Sequence, residues 1–136
     1  MSLLRSICAL YLALYPLSST GALATEGYTI DFAVRTRSGQ DTGSVVCRFD
    51  DLCVAPVDSL KLKFYVWVPR DNPDRALVNM DGDPGCCLFA GAVDRPIVDP
   101  RQPLLRLRIF VGRAAKGLEF IENEYVGDLY LKYQFR

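Results

Sequence analysis

Residues 60–68, Leu-Lys-Leu-Lys-Phe-Tyr-Val-Trp-Val, put Leu60, Leu62, Phe64, Val66 and Val68 on one parity and Lys61, Lys63, Tyr65 and Trp67 on the other. Successive side chains leave opposite faces of a pleated strand, so this alternation predicts a strand with an apolar inner face and a cationic, aromatic outer one. The same two-residue period recurs three times. Ile30, Phe32 and Val34 alternate with Asp31 and Arg35 within 28–37; Leu105, Leu107, Ile109 and Val111 oppose Arg106, Arg108 and Phe110 within 104–111. Leu129, Leu131, Tyr133 and Phe135 oppose Tyr130, Lys132 and Gln134 within 128–135. Shorter segments at 44–49, 76–80, 86–92 and 119–122 bring the expectation to about seven or eight strands.

Turn-forming residues separate these runs. Ser38 to Gly43 is a Ser, Gly, Gln, Asp and Thr stretch, Pro69 ends the 60–68 segment, and Asp71-Asn-Pro-Asp74 and Asp81-Gly-Asp-Pro-Gly85 favour local turns over ladder pairing. Pro96, Pro100 and Pro103 interrupt the region 94–103, and Arg113 to Lys116, bounded by Gly112 and Gly117, holds at most one helical turn. No helical period is long enough to bury a stripe. The pattern therefore predicts an all-β fold: a small disulfide-tied antiparallel β-sandwich of about seven or eight strands, with a small closed barrel as the alternative. A membrane barrel is disfavoured, because eight spanning strands of about 10 residues would use most of the chain and the proline-rich middle does not supply them.

The N-terminus changes the picture of the compartment. Arg5, an apolar run from Ile7 to Leu17 and the tripeptide Ala22-Leu23-Ala24 form the pattern of a secretory signal cleaved after Ala24. The run contains Pro16 and falls short of the roughly 20 residues that cross a bilayer, so a cleaved leader is preferred to an anchor. Residues 25–136 are then expected to form one β-sandwich domain, secreted or periplasmic, of a common single-domain size. Removing Arg5 leaves the domain close to neutral with scattered charges, which indicates neither a nucleic-acid footprint nor a polybasic membrane surface.

Four cysteines remain after that cleavage, Cys47, Cys53, Cys86 and Cys87, an even count that favours a disulfide framework in an exported chain. Adjacent cysteines close a strained ring when they bond each other, so the preferred expectation joins the Cys47/Cys53 region to Cys86 and Cys87 by two bridges. Loops of about 30 to 40 residues would be worth on the order of 3 to 4 kcal/mol. Zinc ranks behind disulfides, since the spacing lacks the usual paired Cys-x2–4-Cys pattern.

The chain contains no histidine, which excludes a Ser-His-Asp triad, Cys-His catalysis and histidine-ligated zinc. An enzyme would depend on carboxylates such as Asp50, Asp51, Asp81, Asp83, Glu119, Glu122 and Glu124, two of which about 5 to 9 Å apart could hydrolyse a glycoside. Without a motif, solvated loop acids are the better account. No cofactor is expected. Calcium at Asp81 and Asp83, shared with Asp50, Asp51 or the 70–74 loop, is a weak candidate, because Pro84, Gly85 and two cysteines stand where further oxygen ligands should follow.

The outward parities supply the functional expectation. Lys61, Lys63, Tyr65 and Trp67, then Arg106, Arg108 and Phe110, then Tyr130, Lys132 and Gln134 give cations and rings with almost no acids. If the three strands share a sheet they form one basic, aromatic face, suited to an anionic glycan or an acidic protein. Cationic stems stacked on rings also stabilise ordinary sheets, by a few tenths to about 1 kcal/mol per pair. The leading expectation is an exported, non-enzymatic binding or inhibitory module. A structural component of an exported assembly, pairing through an exposed strand edge, is the alternative, and a carboxylate-based hydrolase ranks third.

Overall fold

The computed structural model describes residues 27–82 and 86–136. The leader expected at 1–24 lies outside these residues, as does Asp83. Among the described residues nine strands form: β1 (Gly27–Thr36), β2 (Gly39–Arg48), β3 (Cys53–Val57), β4 (Leu62–Trp67), β5 (Ala76–Asp81), β6 (Cys86–Phe89), β7 (Ile97–Val98), β8 (Leu105–Val111) and β9 (Glu124–Phe135). A 3-10 turn at Asp58–Leu60 leads into β4.

Alternating apolar residues set the architecture. A five-stranded antiparallel sheet in the order β2-β1-β9-β8-β6 faces a four-stranded one in the order β3-β4-β5-β7. Ile30 and Val34 of β1, Leu129 and Leu131 of β9, and Ile109 of β8 point into the sandwich, and all are fully buried. Phe64, Val66, Val68 and Val78 meet them from the other sheet. Phe32 and Phe64 close the middle edge to face, with ring centroids 4.8 Å apart. Truncating a buried ring such as Phe64 to alanine costs about 3 to 5 kcal/mol through lost burial and the cavity left behind. At one end of the core, Tyr28 and Tyr133 lie beneath Phe49 and Phe135. Neither buried hydroxyl has a hydrogen-bond partner among the described residues.

The β-sandwich is the architecture expected from the pattern, with two strands added and one removed. The isolated pair β7 and the five-residue β3 are too short for a period to announce them. Residues 119–122 are irregular instead of extended; Asn123 ties the neck of that excursion by donating to the Arg113 carbonyl at 3.0 Å and accepting the Arg113 amide at 3.1 Å. Lys61 is a further correction. It adopts a left-handed conformation with φ 53° after the 3-10 turn, so β4 begins at Leu62.

The disulfide connectivity corrects the expectation more sharply. Cys47 is bonded to Cys53, and Cys86 to Cys87. The reason is positional. β2 and β3 are edge strands of different sheets on the same side of the sandwich, so the short crossover at 49–52 brings Cys47 and Cys53 to a Cα separation of 5.5 Å. β6 is the opposite edge of the five-stranded sheet, roughly 19 Å away at about 4.8 Å per strand, out of reach of a bridge from Cys47. The Cys47–Cys53 bond therefore staples one sheet to the other.

Candidate functional site

The residues expected to form one basic face are divided between two outer faces that look away from each other. Lys63, Tyr65 and Trp67 lie on β4 in the four-stranded sheet, with Lys61 in the turn before it; Arg106, Arg108, Phe110, Tyr130, Lys132 and Gln134 lie on β8 and β9 in the five-stranded sheet. Strand parity assigns the side chains on β4, β8 and β9 to the outer faces, while Lys61 is exposed from the turn instead. Sheet membership is what parity could not decide.

On the five-stranded sheet a site is built around Asp128, the one charged residue buried among the described residues, at 4 % exposure. Arg108 on β8 and Arg35 on β1 are its register partners to either side. The Arg106 guanidinium reaches diagonally and donates two hydrogen bonds, Nε to Oδ1 at 2.9 Å and Nη2 to Oδ2 at 3.2 Å. The Tyr125 hydroxyl donates to Oδ2 at 2.7 Å. These bonds satisfy the carboxylate as an ion: the Arg106 bond holds its pKa below the ordinary carboxylate value, burial opposes, and the Tyr125 bond and the nearby Arg108 charge add to the lowering. Arg106 is correspondingly held in its charged form.

Aromatic rings frame the cations. Arg106 lies 6.0 Å from the Tyr130 centroid, and Arg108 lies 5.4 Å from Phe110 and 4.7 Å from Tyr125. Tyr125 reaches this face through a β-bulge. Gly127 pairs with Ile109 and Tyr125 with Phe110, so Val126 is the extra residue between them and turns inward onto the core. An unbroken β9 would carry Tyr125 on the parity of Leu129 and Leu131, into the interior. Gly127 is required at this point, because a Cβ there would meet the Arg35 carbonyl oxygen.

Arg35, Arg37, Arg106, Tyr125, Asp128 and Tyr130 line a pocket of about 380 Å³. Arg37 is answered by Glu124 at 2.8 Å, and Arg106 by Asp128. Arg35 makes no ion pair among the described residues. The pocket thus holds one cation beyond its internal neutralisation. Lys132 lies outside it, in register with Asp31 on β1, and the Gln134 amide donates to Asp31 at 2.7 Å. Reading the outward residues strand by strand found Arg106, Arg108 and Tyr130. It passed over Arg35, Arg37, Tyr125 and Asp128, although a glycine inside an otherwise strand-like run, Glu124-Tyr-Val-Gly127, is the usual mark of a bulge.

The outer face of the four-stranded sheet is different in kind. Val54, Tyr65 and Asn79 form one register row, and Trp67, Leu77 and Ile97 another. Leu52, Tyr65, Trp67, Leu77, Asn79 and Arg95 line a shallow depression of about 370 Å³, in which Arg95 is the only charge among the described residues. A third hollow, about 520 Å³ under the 112–123 segment, is lined by Phe89, Phe110, Phe120 and Ile121 but carries Glu119 and Glu122, the wrong sign for an acidic partner.

Of the acids considered for catalysis or calcium, Asp83 lies outside the described residues, Glu119 and Glu122 share the hollow under 112–123, and Asp50 and Asp81 bond to backbone amides. Asp50 accepts the Arg70 amide at 2.9 Å, tying the 49–52 crossover to the chain beyond β4, and Asp81 accepts the neighbouring Gly82 amide at 2.9 Å. Among the described residues there is no group of three or more metal-ligating side chains, and no helix is long and apolar enough to cross a membrane. No protein-family model, curated protein or solved structure matches this chain, so its site is read from its own residues.

Proposed function

We propose that this protein is an exported binding module that holds an anionic glycan in the arginine–tyrosine pocket of the five-stranded sheet. The observation that carries the reading is Arg35, which lines the pocket without an ion-pair partner among the described residues, beside an Arg106 already fixed by Asp128. A guanidinium whose orientation is set before the ligand arrives loses less freedom on binding, and a bidentate fork matches carboxylate or sulfate oxygens. The pocket is concave and sized for a single sugar unit, whereas an acidic protein surface would need roughly 800 Å² from each partner. The Cys47–Cys53 bond and the leader pattern at 1–24 support a secreted or periplasmic setting.

Calorimetric titration with a sulfated, uronic-acid-containing tetrasaccharide tests this reading. Arg35→Ala and Arg37→Ala, both lining the pocket, should each weaken binding about tenfold, the value of one charge-assisted contact. Equal binding by wild type and both variants would end it, and preference for a poly-aspartate peptide would transfer the site to an acidic protein.

The assembly reading has one observation in its favour: β2 is a ten-residue edge strand without proline. Its edge is nonetheless guarded, because the Asp41 carboxylate accepts the Thr42 amide at 2.8 Å and is itself held by the Ser59 hydroxyl. Light scattering that shows mass rising with concentration would revive it.

A further inference from the structure

We propose a second, independent binding site on the outer face of the four-stranded sheet, a shallow subsite for one flat pyranose ring of a neutral, β-linked saccharide. Tyr65 and Trp67 alternate on β4, about 6.5 to 7 Å apart along the strand, and both are half-buried in the floor of the depression. Asn79 stands in register beside Tyr65, and Leu77 beside Trp67.

Polar groups decide what this apolar floor accepts. The Tyr65 hydroxyl, the Trp67 indole N–H and the Asn79 amide have no protein hydrogen-bond partner among the described residues, and none is a sealed, buried atom. A lipid chain or an apolar protein side chain seated here would strip water from all three and leave them unpaired, which disfavours such a ligand. A sugar instead offers C–H groups to the rings and hydroxyls to the polar atoms. The amide both donates and accepts, as a sugar hydroxyl does. A β-linked gluco-configured ring carries its hydroxyls equatorially, so its two faces are apolar and its rim is polar, in the same arrangement as the floor and edge of the depression. No acid among the described residues lines the hollow, and Arg95 at its margin, 4.0 Å from Asp94, is placed for a ring oxygen or hydroxyl. Because this face looks away from the arginine pocket, the two sites take separate ligands, and the protein can tie one glycan to another.

Trp67 is the only tryptophan in the sequence, so its emission reports occupancy directly. Cellotetraose and chitotetraose are titrated against the full chain while Trp67 emission is followed. A saturable blue shift with at least one of them is expected. Asn79→Ala and Tyr65→Ala should each weaken it about tenfold, and Arg35→Ala, in the other pocket, should leave it unchanged. Circular dichroism confirms that the variants are folded, and Tyr65→Phe serves where Tyr65→Ala is not. Absence of saturation with both sugars overturns the proposal. So does a shift that survives Asn79→Ala in full, or one that only dodecyl maltoside micelles or neutral lipid vesicles produce.

Discussion

Arg106 and Asp128 form a two-pronged ion pair across neighbouring strands, 2.9 and 3.2 Å long, in which the carboxylate is buried and the guanidinium side chain keeps 57 % of its surface open. The asymmetry divides the labour. Asp128 is the fixed point, and Arg106 carries charge outward from it. Removing the anchor with Asp128→Ala should destabilise the fold by about 1 to 3 kcal/mol, the loss of charge-assisted hydrogen bonds at a buried acceptor, and should weaken anionic-glycan binding as Arg106 loses its orientation. Urea denaturation measures the first effect.

The same pair predicts an acid limb of stability. A carboxyl held below its ordinary value of 3.8 binds protons more weakly folded than unfolded. Its contribution is complete above that pH and disappears as the pH falls through the lowered folded value. Unfolding free energy should therefore drop below about pH 4 in wild type, and drop less in Asp128→Asn, when denaturation is followed from pH 6 to pH 2.

Tyr28 and Tyr133 predict an alkaline limb. Burial pushes the Tyr28 hydroxyl from 10.0 up to about 12, with the Asp51 charge adding, and pushes Tyr133 up as well, with Tyr28 adding. Groups whose folded pKa is raised contribute stability that is complete below the unfolded value and is lost as pH rises toward the folded one. Stability should fall between about pH 10 and pH 12. In Tyr28→Phe/Tyr133→Phe it should fall less steeply. At pH 7 the double variant should match or exceed wild type, since each hydroxyl it removes lacks a partner among the described residues.

Gly127→Ala tests the bulge. An added Cβ collides with the Arg35 carbonyl, a backbone atom that cannot swing away, so β1 and β9 must separate locally. We expect a loss of about 1 to 3 kcal/mol, the usual cost of overpacking, with weaker glycan binding because Tyr125 and Arg35 flank that point.

Cys47–Cys53 encloses only a short loop, worth about 2 kcal/mol on the chain-entropy account. Cys47→Ala/Cys53→Ala should lower stability by that amount. Non-reducing tryptic mapping should find Cys47 and Cys53 in two linked peptides, cut after Arg48, and Cys86 and Cys87 within one peptide. A peptide linking residue 47 or 53 to residue 86 or 87 would contradict the connectivity.

How far the chain could be read depended on what a two-residue period encodes. Alternation at Leu62 to Val68, Leu105 to Ile109 and Leu129 to Tyr133 gave the strands and their inner faces, because burial acts on each strand separately. It is silent on which strands are neighbours, and β4 went to one sheet while β8 and β9 went to the other. The cysteine pairing was missed for the same reason, since it depends on which edges coincide. Tyr125 was hidden by the Val126 bulge, which reverses parity within β9, and Asp128, standing at the expected strand's start, carries no pattern that marks it as the buried centre of the site.

The central claim is that an anionic glycan enters the pocket beside Asp128, and the most direct measurement is amide chemical-shift mapping of the isotope-labelled protein titrated with the sulfated tetrasaccharide. The account predicts saturable shifts clustered at Arg35, Arg106, Tyr125 and Tyr130, with Val54, Tyr65 and Asn79 on the opposite sheet unmoved. Shifts confined to another surface, or none at millimolar ligand, would contradict it.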